Sequence, residues 1–477
     1  MERRRVIHSL PDWLFTPRSQ RWVRVAIIAA VFCVILLLSL AASMRWMMLV
    51  LALVVGSAGA VILLRKLQLG LLAIVFAALL VPSPFQSGAG ASLTPPLVLV
   101  AMMLGLWLVD MIARQRQIRL VRSKTLLPAI AFLVATLISF LNGRIIYYTF
   151  TQVAPLTAQI GELAIFLFSF GAFLLVANLV DDVRWLERMT WLFLALGGVY
   201  IFARLFPFTE RIIRPLFQYG SDASLFWVWL VALAAGQVFF NPKLGKRWKY
   251  ALYALLAATL YVSLIQAYSW KSGWLPAVGA LFVVLWVGLP RYRGWLLGLG
   301  ILAVTMNFFV DVDRVVAGGE DYSILTRLEA WRIILEIVKI NPILGLGLSN
   351  YYWYTPLFPI MGYSVRFNSH NNYIDIFAQV GLVGLACFMW FAWEAARLGW
   401  GLLKSVPVGF PKAFVIGALG GLAGSLASGM LGDWILPFVY NVGLHGFRSS
   451  IMFWLFLGGL VALEQIYRVS NTGASAD

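Results

Sequence analysis

Charge is scarce in this sequence: Asp, Glu, Lys and Arg make up 12% of the 477 residues, while 61% are hydrophobic. A water-soluble fold of this length cannot cover so much apolar surface, which excludes the soluble globular classes. Acids are scarcer still, 20 against 37 Lys and Arg, giving a formal net charge of +17. Cysteine is nearly absent. Cys33 and Cys387 each fall in the middle of an apolar run, so they read as buried packing rather than as disulfide partners or metal ligands. No nucleotide-binding word, internal repeat or soluble domain is visible. The Gly-rich stretch SGAGASLTPP at 87–96 lacks a following Lys-Ser/Thr and reads as a loop. Paired interrupted helices, which mark many transporters, are not apparent either.

What the sequence does have is apolar runs near or above spanning length, at about 23–43, 46–64, 67–81, 95–113, 126–141, 160–180, 186–206, 223–240, 248–268, 273–289, 294–310, 372–393, 411–432 and 447–467. With a mean hydropathy of +0.86 they predict an all-α, polytopic membrane bundle of about twelve to fourteen spans, since 67–81 and 126–141 are short. The expected layout is a bundle over 1–310, an outer-face loop over 311–371, and C-terminal spans with a short tail over 372–477. A basic stretch before the first run resembles a secretory signal, but the run is too long, and an uncleaved first span is expected.

The excess of positive charge suggests a nucleic-acid partner until its placement is considered. With a cytoplasmic N-terminus and alternating spans, about 25 of the 37 Lys and Arg fall inside. They are topology signals, and no nucleic-acid partner is expected. The same alternation puts Arg144, Arg204, Arg211, Arg214, Lys271, Arg314, Arg327, Arg332, Lys339 and Arg366 on or near the outer face, where that rule disfavours them. A cation close to hydrocarbon is costly unless it is paired, snorkelled or used, and a lipid diphosphate is a suitable counter-ion.

One interval breaks the apolar pattern most. From Leu325 to Ile340 the residues Leu328, Trp331, Leu335 and Val338 recur at helical spacing, and Glu329/Arg332 and Glu336/Lys339 form i,i+3 charge pairs. This predicts a surface-lying helix with those four residues on its buried face. Asn341-Pro342 ends it, and Gly345 and Gly347 permit a tight path afterwards. The chain re-enters the membrane at Asn371, with Asn372 expected as N-cap and Asp375 at the capping-box position. His370 then lies at the mouth of the helix, in the positive end of its dipole, which favours the neutral imidazole.

Three words in this interval, Arg327 with Trp331, NPILGLG, and SHNNYIDIFAQVGLVGL, resemble the O-antigen ligase/polymerase superfamily in order and spacing. A weaker likeness lies in AYSWKSGW, where Ser269, Lys271 and Gly273 stand at the family's Ser, Arg and Gly positions. The likeness covers roughly residues 200–465. It implies a bacterial inner-membrane glycosyltransferase, metal-independent and without cofactor, with its active site on the periplasmic or extracellular side. The implied partners are a polyprenyl-diphosphate-linked glycan, membrane lipid, and an acceptor that is lipid A-core, the growing glycan or a protein. Arg327 and Lys271 would hold the diphosphate, and His370 would orient or deprotonate the acceptor hydroxyl.

Each residue also has a plainer reading. Arg327 pairs with Glu320 or Asp321; Lys271 snorkels at a span end, and it departs from the family's usual Arg, losing the bidentate fork; His370 is a hydrogen-bonding residue at a helix mouth. Arg211, Arg214, Arg366 and Asn371 are further candidates for phosphate or glycan contacts. Asp311 and Asp313 form a D-x-D word that reads as a solvated span terminus rather than a metal site. The aromatic run Tyr351 to Tyr354 fits either sugar stacking or an interfacial belt. Two rival functions remain open: a transporter or flippase of lipid-linked glycan or another anion, and a superfamily member without activity.

Overall fold

The computed structural model describes residues 66–81, 94–218, 220–302, 305 and 321–473, and among these the chain is an all-α bundle without a β-sheet. The predicted runs at 23–43 and 46–64, most of 303–310, and the Asp311/Asp313 word lie outside the described residues. The helices used below are α1 (Gln68–Leu80), α2 (Pro95–Val109), α3 (Leu126–Asn142), α4 (Leu156–Leu179), α5 (Val183–Arg204), α6 (Pro207–Phe217), α7 (Ser224–Phe240), α8 (Lys246–Tyr261), α9 (Lys271–Gly288), α10 (Asp321–Val338), α11 (Tyr351–Tyr354), α12 (Asn372–Ser405), α13 (Phe410–Leu431) and α14 (Phe447–Gly473). Every apolar run that falls wholly within the described residues forms a helix. Eight are long and apolar enough to cross a bilayer, and α1, α3 and α7 are shorter apolar helices. At 13 residues α1 is roughly 20 Å long, less than a hydrocarbon core of about 30 Å.

The interior is made chiefly by two helices. α7 is buried along nearly its whole length, and the spanning window of α14 is entirely buried. α13 meets α7 and α9 through small residues, because lipid gives no hydrophobic drive between helices and close backbone packing must do the work. A side chain at Gly424 would run into Pro276 O of α9, and one at Gly417 into Ala232 O of α7. Larger residues there would push the helices apart.

Two polar devices hold one end of the bundle together. Arg448, at the start of α14, is 1% exposed and donates through Nε to Ala78 O (2.9 Å), through Nη2 to Leu79 O (3.1 Å) and through Nη1 to Gln218 O (2.7 Å). It thus neutralises the orphan carbonyls at the C-terminus of α1, where a cation is favoured by the helix dipole. The second device is Asn350. Its Nδ2 donates to Gly143 O (2.7 Å) and Leu346 O (2.8 Å), and its Oδ1 accepts from Ala154 N (2.8 Å) and Gln159 Nε2 (3.3 Å). All four hydrogen-bonding positions of one amide are filled, which joins three loop segments.

α12 is not one rod. At Gly381 the backbone leaves the helical region (φ 73°, ψ −173°), so the chain breaks into a short entering piece and a long spanning piece. This single interruption was not anticipated from the sequence, where only paired interrupted helices were looked for. The interruption is filled by the loop after α10: Leu346 N and Gly347 N donate to Ala378 O (2.9 Å) and Gln379 O (3.1 Å), while Leu382 N and Val383 N donate to Pro342 O (2.8 Å) and Ile343 O (3.3 Å). Backbone groups freed in an apolar region must find partners, and here a second backbone supplies them. Gly345 (φ 74°) has no room for a Cβ, which would strike Gln379 O. The NPILGLG and QVGLVGL words are thus the two sides of one backbone crossing.

The amphipathic helix predicted at 325–340 exists as α10, and its two charge pairs form, Arg332–Glu329 at 2.7 Å and Lys339–Glu336 at 2.6 Å. Its buried face differs from the expected one. Ala330, Ile333, Ile334, Ile337 and Val338 are buried against Leu346, Tyr351, Ala378 and Phe438, whereas Leu328 and Leu335 are half exposed. The isoleucine triad makes the wider apolar stripe, and burying each Ile stabilises the dock by about 1.5–3 kcal/mol.

Candidate active site

The site forms where the entering piece of α12, the 432–442 segment and α10 converge. Asn371 caps α12 through its side chain, accepting from Tyr373 N (3.0 Å) and Ile374 N (3.4 Å). The expected cap at Asn372 is therefore wrong by one residue, and no capping box forms. Asn372 instead donates to Leu436 O (2.7 Å) and accepts from Ile435 N (2.7 Å), pinning the 432–442 segment against the helix mouth. Asp375 is turned inward, where its Oδ1 accepts from Tyr351 OH (2.5 Å) and Ser369 Oγ (2.7 Å). A shift of one position moves a side chain about 100° around a helix, which explains both reassignments.

His370 is held on both sides by these contacts. Trp331 Nε1 donates to Ser369 O (2.7 Å), fixing the preceding residue, and the Asn371 cap fixes the following one. Between them His370 takes φ 50°, in the left-handed region that costs a non-glycine residue of order 1–3 kcal/mol. That conformation directs the ring toward Asn441, whose Nδ2 lies 3.4 Å from His370 Nδ1 and donates to Asp433 Oδ1 at 2.6 Å. Asp433 Oδ2 accepts Phe438 N (2.8 Å), so the carboxylate cannot swing away.

The electrostatics follow from these neighbours. Burial lowers the His370 pKa below its ordinary 6.5; Asp433 opposes the shift and Arg327 adds to it. The direction favours the neutral imidazole near pH 7, through burial and Arg327 rather than through the helix dipole. Burial also pushes the Asp433 carboxyl up, against the hydrogen bonds from Phe438 N and Asn441. The Tyr351 phenol is pushed well above 10 by burial and by the Asp375 carboxylate it serves, so it stays a donor.

Arg327 and Trp331 stand four residues apart on one face of α10. Arg327 is half-buried and donates through Nη1 to Leu431 O (3.2 Å), at the C-terminal end of α13. One of its five N–H groups is used this way, beside the histidine whose charge it influences. Lys271 opens α9, with its Nζ 5.8 Å from the centre of the Tyr268 ring. Its neighbour Trp270 packs edge-on to Trp434, centroids 6.3 Å apart, next to Asp433.

The remaining candidates are distributed differently. Arg211 and Arg214 lie on α6 and line a hollow of about 520 Å³ with Glu210, Gln218 and Asp222. Arg366 stacks on Trp353, its guanidinium carbon 3.7 Å from the ring centre. Tyr351 and Tyr354 of the aromatic run are buried, while Tyr352 and Trp353 are partly exposed. Among the described residues, no group of three or more His, Cys, Asp and Glu side chains is placed to hold a metal ion. Asp433, Asn441 and the roles of Ser369 and Tyr351 were missed from sequence. An Asp in a short break between two apolar runs, with Trp434 and Pro437 beside it, was the available signal.

Residues 251–389 match the family model described as O-antigen ligase, so this part of a polytopic membrane protein is O-antigen-ligase-like. The matched segment contains Lys271, Arg327 and His370 and stops before Asp433 and Asn441. No curated protein matches the chain.

Proposed function

We propose that the chain is a membrane glycosyltransferase that moves a glycan from a polyprenyl diphosphate to an acceptor hydroxyl at the outer face of a bacterial inner membrane. The observation that carries this reading is a neutral, sterically fixed His370 with a guanidinium beside it and an amide–carboxylate pair behind it. The acceptor oxygen attacks the anomeric carbon as the bond from that carbon to the diphosphate oxygen breaks. The electron pair leaves with the diphosphate, and the hydroxyl proton passes to His370. Arg327, and Lys271 from the α9 side, stabilise the charge that grows on the leaving group, which is worth most in a water-poor site. Asn441, held by Asp433, orients the imidazole, and the Asp433 carboxylate offsets the charge of the imidazolium once it forms.

A transporter would share the outward cations and an interrupted helix. The interruption in α12 does not serve that reading, because Ala378 O, Gln379 O, Leu382 N and Val383 N are all paired with the 342–347 backbone. The two functions separate in proteoliposomes holding the full chain, a labelled polyprenyl-diphosphate tetrasaccharide, and lipid A-core, glycan or peptide acceptors. Release of polyprenyl diphosphate together with a new glycosidic link is expected. Movement of intact donor across the bilayer, with the sugar–phosphate bond uncleaved, would overturn the proposal.

A further inference from the structure

A second hollow, of about 460 Å³, lies at the same end of the bundle, lined by Arg144 and Ile146, by the 151–155 segment with Thr151 and Gln152, and by Trp353. That volume suits a small ligand. Its walls are fixed by the filled amide of Asn350, which ties Gly143, Ala154 and Leu346 together, and by Thr151 Oγ1 donating to Tyr148 O (2.8 Å). Trp353 is fixed as well: its Nε1 donates to Tyr440 OH (2.9 Å), and Arg366 lies on its ring at 3.7 Å. The lining thus offers an indole, a hydroxyl, an amide and a guanidinium, with a second guanidinium stacked on the indole and no carboxylate. An aromatic edge with hydroxyl-matching polar groups suits a sugar ring, and two arginines without an acid suit a sugar bearing a carboxylate or phosphate.

The position of this hollow relative to His370 follows from two adjacent residues. Tyr440 holds Trp353, and Asn441, the next residue, holds His370 and Asp433. On the other side, Trp434, next to Asp433, packs on Trp270 beside Lys271. The 433–441 segment therefore carries the contacts to His370, to Trp353 and to Trp270. We infer that the hollow is the subsite for an anionic saccharide of the acceptor, with Arg144 and Arg366 setting the charge preference and Trp353 the ring contact. This rests on the glycosyl-transfer reading for the word acceptor. The binding itself does not depend on it.

The test compares tetragalacturonate with maltotetraose, an acidic and a neutral tetrasaccharide, by titration calorimetry on the full chain in detergent. The wild-type chain binds the acidic probe at least about tenfold more tightly, and the Arg144→Gln/Arg366→Gln variant brings the two within about threefold. Both arginines are exposed, so the variant keeps its fold, which its elution profile and melting temperature verify. Equal affinities in the wild type, binding of neither probe, or a preference that survives the double substitution would each overturn the inference. In the transfer reaction with an acidic acceptor, the same variant raises the acceptor KM about tenfold and leaves the donor KM and kcat unchanged. A rise in the donor KM alone would assign the hollow to the wrong substrate. A wild-type chain that binds tetragalacturonate but transfers nothing would instead refute the glycosyl-transfer reading and leave the subsite standing.

Discussion

Two regions that touch along the chain are built in opposite ways. The crossing between 342–347 and 378–383 is held by backbone hydrogen bonds and by the close approach of glycines. A few residues upstream, the cluster around His370 is made of side chains drawn from α10, α12 and the 432–442 segment, over a separation of about a hundred residues from Arg327 to Leu431. The first region is a backbone joint, and the second gathers the side chains proposed for the chemistry. The difference teaches that the longest motif words in this sequence are architectural, and that the side chains proposed for catalysis sit at their edge.

Substitutions can separate the two. Gly345→Val should have the largest effect, since the new side chain meets Gln379 O and the left-handed backbone disfavours a β-branched residue. No folded protein should be recovered after solubilisation, and a normal yield and melting temperature would show that the crossing is dispensable. His370→Ala should do the reverse, leaving the melting temperature unchanged while polyprenyl-diphosphate release falls about 10²–10⁴-fold. A large loss of thermal stability would place His370 with the architecture instead. Arg448→Ala strips three donors from buried carbonyls, and a cost of about 3 kcal/mol should appear as a lower melting temperature in detergent. Arg332→Gln should leave the melting temperature essentially unchanged, because its partner Glu329 is at the surface and exposed pairs contribute little. A larger effect would show that α10 is held by its outer face rather than by its isoleucines.

The same contrast explains what could be read in the sequence. Hydropathy was sufficient for the bundle, because a spanning helix must satisfy its own backbone and be apolar for its whole length. Gly345 and Gly347 were legible as turn residues, since few other residues tolerate those angles. The break at Gly381 was not, because a glycine inside an apolar run is common in membrane helices and carries no local mark of the loop that will pair with it. Arg327, Trp331 and His370 stood out as polar or aromatic residues in a distinctive interval. Asp433 and Asn441 did not, because their meaning depends on Asn372 binding the 432–442 segment, a contact across some sixty residues. The buried face of α10 was misread for a related reason: several apolar stripes fit the helical period, and only the partners Tyr351 and Phe438 decide among them.

The pH dependence of polyprenyl-diphosphate release tests the central claim most directly. Catalysis by a neutral His370 requires a rate that is level at and above pH 7 and falls on acidification through a pKa below 6.5. Arg327 lowers that pKa and Asp433 raises it, so the acid limb should move to higher pH in Arg327→Gln and to lower pH in Asp433→Asn. A rate without an acid limb, or two variants whose limbs move in the same direction, would contradict the assignment of His370 as the base.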